Sequence, residues 1–303
     1  MGQHCYALED KRIMNSPKQR QNIHYFPGHM AKAFAALAPY LKSADLVVEI
    51  ADARAPSASR NPMLLSLLGE KPHLLVLSKS DRADPKVTEA WLSYYQSHQT
   101  NAIASDLKHE KIIRNLLTGA SSMIARKREK EQKIGMKPQP LRLLVLGIPN
   151  VGKSTFINNL AGRNAAKAAN RPGVTRAEQW VKVSQDFVLL DTPGILPMNY
   201  PSEEQAILLA CLGSIKEEVL PLDALADSLL ALLRSRYPVC LEERYGIADT
   251  TPLSDTMIYE KIAKRMGYLS AGGNPDFSKA RRGLLKDFQD GLLGRLSLEG
   301  APC

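Results

Sequence analysis

Gly147-Ile-Pro-Asn-Val-Gly-Lys-Ser154 and Leu74-Leu-Val-Leu-Ser-Lys-Ser-Asp81 are the two stretches whose order along the chain decides the fold. The first fits G-x-x-x-x-G-K-[ST] and stands between an apolar run, Leu141-Arg-Leu-Leu-Val-Leu146, and a helix predicted from Lys153. That strand–loop–helix setting is what a phosphate-binding P-loop requires. Backbone N–H groups around Asn150, Val151, Gly152, Lys153, Ser154 and Thr155 are expected to wrap a nucleotide's phosphates, helped by the helix N-terminus. Lys153 would reach the β- and γ-phosphates, and the Ser154 hydroxyl would ligate Mg²⁺. Downstream, Asp191-Thr-Pro-Gly194 follows the predicted strand Phe187–Leu190. Its aspartate is placed to hold Mg²⁺ and its Gly194 N–H to meet the γ-phosphate. Between the two lies Arg171-Pro-Gly-Val-Thr175, where Thr175 is the candidate third Mg²⁺ residue and switch.

The second stretch is a strand running into Ser-Lys-x-Asp. In GTPases the corresponding signature is Asn-Lys-x-Asp. Its carboxylate accepts from guanine N1–H and N2–H₂, a donor pair that adenine lacks. Asp81 therefore selects guanine, with the Lys79 stem packed over base and ribose. Ser78, Ala104 and Ser105 complete the expected base site. Ordinary GTPases carry this element after the P-loop; here it precedes it by about seventy residues. The order is that of a circularly permuted GTPase, cut after the D-x-P-G strand. The sheet is then unchanged in space and only the connections differ.

The surrounding pattern agrees. Strands are predicted at 45–52, His73–Leu77, Ala102–Ala104, Leu141–Leu146, Gln179–Val183 and Phe187–Leu190, alternating with helices at 30–42, 62–69, 85–98 and 109–131. This alternation implies an α/β fold with a parallel-rich sheet and helices on both faces. After residue 200 only helices are predicted, at 203–218, 222–236, 255–266 and 278–294. The expected organisation is a disordered tail over 1–21, with Met14 a second possible start, a permuted GTPase domain over 22–199, and an all-α domain over 200–303. The 303 residues carry 40 Lys+Arg against 31 Asp+Glu, with 44% apolar residues. Such a composition excludes collagen-like, coiled-coil and wholly disordered chains. Residues 1–199 hold 28 basic and 16 acidic side chains, whereas 200–303 hold 12 and 15. The excess positive charge thus sits with the predicted nucleotide domain and points to a polyanionic partner. Four scattered cysteines imply neither a disulfide framework nor a zinc site. With no apolar run of bilayer length and no secretory signal, the expectation is a cytoplasmic protein with no membrane partner.

These motifs together resemble the YlqF/RbgA family of ribosome-assembly GTPases, which includes mitochondrial relatives. The shared residues are Phe26-Pro-Gly-His-Met-Ala-Lys-Ala33, Asp52-Ala-Arg-x-Pro56, Ser59-Arg-Asn-Pro62, Arg171-Pro-Gly-Val-Thr175 and the permuted order. The likeness spans roughly 22–303 and is weaker in the helical third. One departure is Ser78, where the family usually has asparagine. Serine is shorter and lacks the amide donors, so a weaker bridge to the P-loop is expected.

The position that holds a water-orienting glutamine in Ras-like enzymes is occupied here by Ile195. The permutation is expected to bring Tyr25–Met30 beside the D-x-P-G loop, and the resemblance assigns His29 the catalytic role; a helix-capping histidine is the alternative. Asn150 is shared with GTPases that bind K⁺ at the P-loop, so K⁺ is an expected activator, against a plain turn residue. Arg126–Arg142 and Arg163–Lys182 carry local charges of +5 and +4, and Arg171 and Arg176 fall in or next to the switch stretch. Together with Arg281 and Arg282, they are the candidate RNA contacts. The resemblance implies a monomer that binds GTP or GDP and assembles the large ribosomal subunit, engaging rRNA and the subunit precursor in the GTP state and leaving after hydrolysis. Three other readings stand beside it: a GTPase on the small subunit or tRNA, a nucleotide-gated module with little turnover, and an ATPase or kinase sharing the P-loop. Asp81 argues against the last.

Overall fold

The computed structural model describes residues 35, 37–165, 180–183, 186–190, 202–215 and 220–302 of the 303. Among them, six strands form one sheet: β1 (Leu46–Asp52), β2 (His73–Ser78), β3 (Ala102–Ser105), β4 (Leu141–Leu146), β5 (Trp180–Lys182) and β6 (Phe187–Leu190). Their order is β3-β2-β1-β4-β6-β5. Every pairing is parallel except the edge pair β5–β6. β1, Leu-Val-Val-Glu-Ile-Ala-Asp, is buried along its whole length, as a central strand covered on both faces must be. On β2, Leu74 and Val76 enter one core while Leu75 and Leu77 enter another with Trp91 and Tyr95, the period of two that a strand imposes.

Helices cover both faces. A helix over 37–43 (α1) leads into β1. α2 (Pro62–Leu68) is capped by Asn61, and α3 (Pro85–Ser97) by Asp84, each with proline in its first turn where no amide hydrogen is needed. The single long helix expected over 109–131 is two: α4 (Ile112–Gly119) and α5 (Ser121–Lys133), separated at Ala120. α4 buries Ile112 and Leu116 against the sheet, and a Cβ on Gly119 would stand 3.1 Å from Ile103 and Leu74. α5 fully buries only Glu131 and packs Met123 and Ile124 partly against the core, so the break separates a segment seated on the sheet from one that lies largely in solvent. β4 then feeds the P-loop and α6 (Lys153–Ala165).

The chain closes with α7 (Glu203–Cys211), α8 (Leu222–Arg236), α9 (Pro238–Tyr245), α10 (Asp255–Met266) and α11 (Phe277–Asp290). Two are shorter than periodicity predicts. After α7 the left-handed Gly213 turns the backbone, and α11 stops at Gly291, φ 80°. α9 is absent from the helices predicted above; its Pro238 occupies the first helical position, where the missing amide hydrogen costs nothing. These helices enclose their own apolar core, which also takes in Ala55 and Ala58 from the loop after β1. Beyond α11, residues 291–302 run back across the sheet's carboxyl edge. No helix among the described residues is long and apolar enough to cross a membrane.

Candidate functional site

The strands are parallel, so the carboxyl ends of β1, β2, β3, β4 and β6 share one edge. From β1 the connections progress outward through β2 to β3, while β4 leads the other way to β6. The switch point therefore lies between β1 and β4, where open α/β sheets form their ligand crevice. The P-loop fills it. A Cβ on Gly147 would come within 2.7 Å of the Ile50 carbonyl, so only glycine allows the loop to pass this close to β1. Asn150 and Gly152 both adopt left-handed backbone, φ 61° and 101°, turning the loop into the N-terminus of α6. Lys153 donates from Nζ to the Ile148 carbonyl at 2.6 Å, and burial pulls its pKa down to about 8.

The guanine-type motif meets this loop directly. Lys79, itself left-handed at φ 56°, donates to the Asn150 carbonyl at 2.8 Å and pairs with Asp52 at 2.8 Å. The Ser78 hydroxyl, wholly buried, lies 2.5 Å from the Val151 carbonyl and 3.0 Å from that of Ala51. The serine thus does reach the P-loop, through its hydroxyl instead of an amide. Below them opens a cavity of about 170 Å³ lined by Ser78, Lys79, Asp81, Arg82, Gly152 and Thr155, closed by Asp106, Leu107 and Lys108. Ala104 is not on that lining, and the Ser105 hydroxyl donates to Glu110 at 2.8 Å. On the β3 loop the cavity is lined by residues 106–108, which directly follow Ala104 and Ser105. The signal was present in Asp106, whose carboxylate accepts the Lys108 N–H at 2.9 Å in a tight turn.

A buried charge network missed by sequence reasoning supports the site. Asp52 and Arg54 are each about 1% exposed and pair at 2.9 Å. Burial opposes the Asp52 charge, but Arg54 and Lys79 hold its pKa far below the usual carboxylate range. Arg54 also donates to the Phe288 carbonyl at 3.0 Å and lies over the Phe288 ring. The loop carrying Asp81 is clasped the same way. Arg82 donates to the Gln289 carbonyl at 2.5 Å, Arg295 donates to Ser80 and Ala83, and the Leu296 N–H donates to Arg82. Glu299 accepts the backbone N–H groups of Ser57 and Ala58.

His29, Arg171, Thr175, Arg176, Asp191 and Gly194 lie outside the described residues. Ser154 is exposed at the first turn of α6. The Asn150 side chain donates to the Gly213 carbonyl at 2.6 Å, which leaves its oxygen toward other ligands. Arg281, expected at an RNA contact, instead ties α11 to α8 through Asp223 and Asp227 and covers the Tyr259 ring. Two carboxylates already take up its charge. Arg282 is exposed.

The arrangement can accept a purine base against a carboxylate and a phosphate chain against a helix N-terminus. Ribosome biogenesis GTPase A of Bacillus licheniformis is 39% identical over 277 residues, covering 91% of this chain and 98% of that protein. The chain belongs to the ribosome biogenesis GTPase A family. It shares with that family the circularly permuted GTPase fold followed by an all-α region, and it is a GTPase. Mitochondrial ribosome-associated GTPase 1 of Mus musculus is 31% identical over 294 residues, covering 91% of this chain and 89% of that one. The solved structure of GNP-bound YlqF from T. maritima, a 27% identical relative, superposes with a TM-score of 0.62 over 89% of this chain and 98% of that one. A family model described as 50S ribosome-binding GTPase matches residues 142–244. That match opens at β4 and leaves out Ser78–Asp81, as a permuted member of a linear family requires.

Proposed function

We propose that this GTPase assembles the large ribosomal subunit, binding rRNA and the subunit precursor in its GTP state and leaving after hydrolysis. Ribosome assembly itself rests on the end-to-end match to ribosome biogenesis GTPase A, the observation that carries the reading. The large subunit is favoured by the family model's description. Release after hydrolysis is favoured by the clasp, because the loop bearing Asp81 and the helical region share Arg82, Arg295 and Leu296.

In this reading Asp81 and Lys79 hold guanine, with Ser78 joining them to the P-loop. Asn150, Val151, Gly152, Lys153, Thr155 and Gly194 cradle the phosphates. The exposed Ser154 hydroxyl, with Thr175 and Asp191, supplies the hard oxygen donors that suit Mg²⁺, which would neutralise charge developing on the phosphates. The Asn150 amide oxygen suits K⁺ as activator. His29 orients the attacking water, since Ile195 has no group to do so. Arg171, Arg176 and Arg282 meet rRNA. The protein acts in the cytoplasm as a monomer.

Co-sedimentation with ribosomal subunits on a sucrose gradient, with a non-hydrolysable GTP analogue, tests the partner. Migration with the large subunit or its precursor is expected; binding to the small subunit alone, or to neither, overturns the assignment. His29→Ala should slow turnover at least tenfold while sparing GTP affinity, and an unchanged rate removes His29 from the chemistry. Faster hydrolysis in K⁺ than in Na⁺ is expected, and equal rates would discard the K⁺ role.

A further inference from the structure

At the opposite, amino-terminal edge of the sheet the structure holds a cleft of about 810 Å³ whose lining includes no residue of the P-loop or of Ser78–Asp81. Its walls carry six lysines and arginines against two carboxylates, Asp45 and Glu70. Asp45 is already shared by Lys127 at 2.6 Å and Arg142 at 2.9 Å, which fixes both cations at the rim. Lys71 donates to the carbonyls of Lys42 and Ala44, at 3.2 and 2.9 Å, so its positive charge is not neutralised. Lys42, Arg126 and Lys130 are exposed and make no ion pair with the described residues.

We propose that this cleft seats the sugar–phosphate backbone of an RNA strand. Ser122, Arg126 and Lys130 follow one another at four-residue steps on α5, and all three line the cleft. Neighbours at that spacing stand about 5–6 Å apart on one helix face. The result is a row of donors matched to the regular succession of phosphates, where an acidic peptide would present irregular charges. Gln99, Thr100 and Asn101 add neutral donors and acceptors suited to ribose and phosphate oxygens. No tryptophan, tyrosine or phenylalanine lines the cleft, and its one aromatic ring, His73, is held by Glu49 at 3.1 Å, so recognition follows the backbone, not the sequence. β1 alone is seven residues, about 20 Å of strand, so the cleft and the P-loop lie far enough apart to be filled together. The inference takes from the ribosomal reading only the identity of the polyanion.

The test is fluorescence anisotropy of the full chain with a fluorescein-labelled RNA hairpin across a salt series. The triple variant Lys42→Glu, Arg126→Glu, Lys130→Glu should bind at least tenfold more weakly. Its log Kd against log salt should flatten by about 2–3, at roughly 0.7–0.9 for each of three lost phosphate contacts. Its GTP turnover without RNA should be unchanged. A control of equal charge change, Lys86→Glu, Lys261→Glu, Arg265→Glu, should keep the hairpin affinity within threefold. Equal loss in both variants, no loss in the triple variant, or no binding by the unmodified chain overturns the cleft. So does a triple variant that loses binding to a polyglutamate peptide while keeping the hairpin, which would make the cleft a protein-docking surface. The subunit gradient separates the two readings. A triple variant that keeps hairpin affinity and still sediments with subunits sinks the cleft alone. An unmodified chain that ignores subunits, but whose hairpin binding the triple variant loses, sinks the ribosomal reading alone.

Discussion

In the proposed reading Asp81 meets the base and Lys153 the phosphates of one nucleotide, so their chemistry should separate under mutation and pH. Both oxygens of the Asp81 carboxylate are needed to receive guanine's N1–H and N2–H₂. An amide at that position keeps one acceptor and turns a donor toward another donor. Asp81→Asn should therefore weaken GTP by on the order of 3 kcal/mol, about a hundredfold, and should improve binding of xanthosine triphosphate, whose C2 carbonyl meets the new N–H. Fluorescent nucleotide titrations would measure both; an unchanged GTP affinity would remove Asp81 from the base site. Lys153 titrates where few lysines do, because burial pulls it down to about 8. Only its charged form attracts phosphate. GTP affinity should hold below that pH, then fall as pH rises through it, approaching about tenfold per unit. Binding above pH 8 should take up a proton, visible by calorimetry in buffers of different ionisation heat.

At the scale of elements, the P-loop is held by close approach as much as by hydrogen bonds. Gly147→Ala would push a methyl to within 2.7 Å of the Ile50 carbonyl, which belongs to the central strand and cannot give way. The expected cost is about 1–3 kcal/mol in urea denaturation, with at least a tenfold loss of GTP affinity. Gly135→Ala is the comparison: its φ is 69° but open space surrounds it, so it should lose stability through backbone strain alone and leave GTP binding intact. The P-loop was legible in the sequence because its demands are local, a glycine here and a lysine there within eight residues. Ser78, Lys79 and Asp81 were legible for the same reason. The ties from Lys79 to Asn150 and Asp52 were not, since they join residues distant in sequence through a sheet order that only the fold supplies. The division of α4 from α5 was hidden too. Gly119 is a poor helix former, about 1 kcal/mol below alanine, but Gly119-Ala120 does not interrupt the polarity pattern, and the break follows from what each half packs against.

In the molecule as a whole, Arg54 joins the sheet to the helices. It is buried at the end of β1, neutralises Asp52 there, and reaches the last turn of α11 through Phe288. Arg54→Ala would leave Asp52 buried with only Lys79 and the backbone N–H of residue 54 as partners of its carboxylate, at a cost of about 3–5 kcal/mol, measured as a lowered urea midpoint. Lys79 would then be drawn more strongly to Asp52, and GTP affinity should fall although Arg54 is not on the base cavity's lining. An unchanged midpoint would show the pair to be dispensable. The sequence displays Asp52 and Arg54 within a short motif but gives no sign of their partner, 234 residues away.

The sheet order also bears on synthesis. β1, β2 and β3 emerge first and can pair with one another, yet the other edge of β1 waits for β4, whose first residue comes 89 positions after the end of β1. At about 5–20 residues per second, that row of unpaired backbone groups on an apolar strand stands open for roughly 4–18 seconds. An unpermuted relative would make its P-loop strand early; this chain makes it late. The nascent amino-terminal half is consequently the stage most exposed to edge-to-edge association, and holding factors that bind apolar strands should engage it before the P-loop is translated.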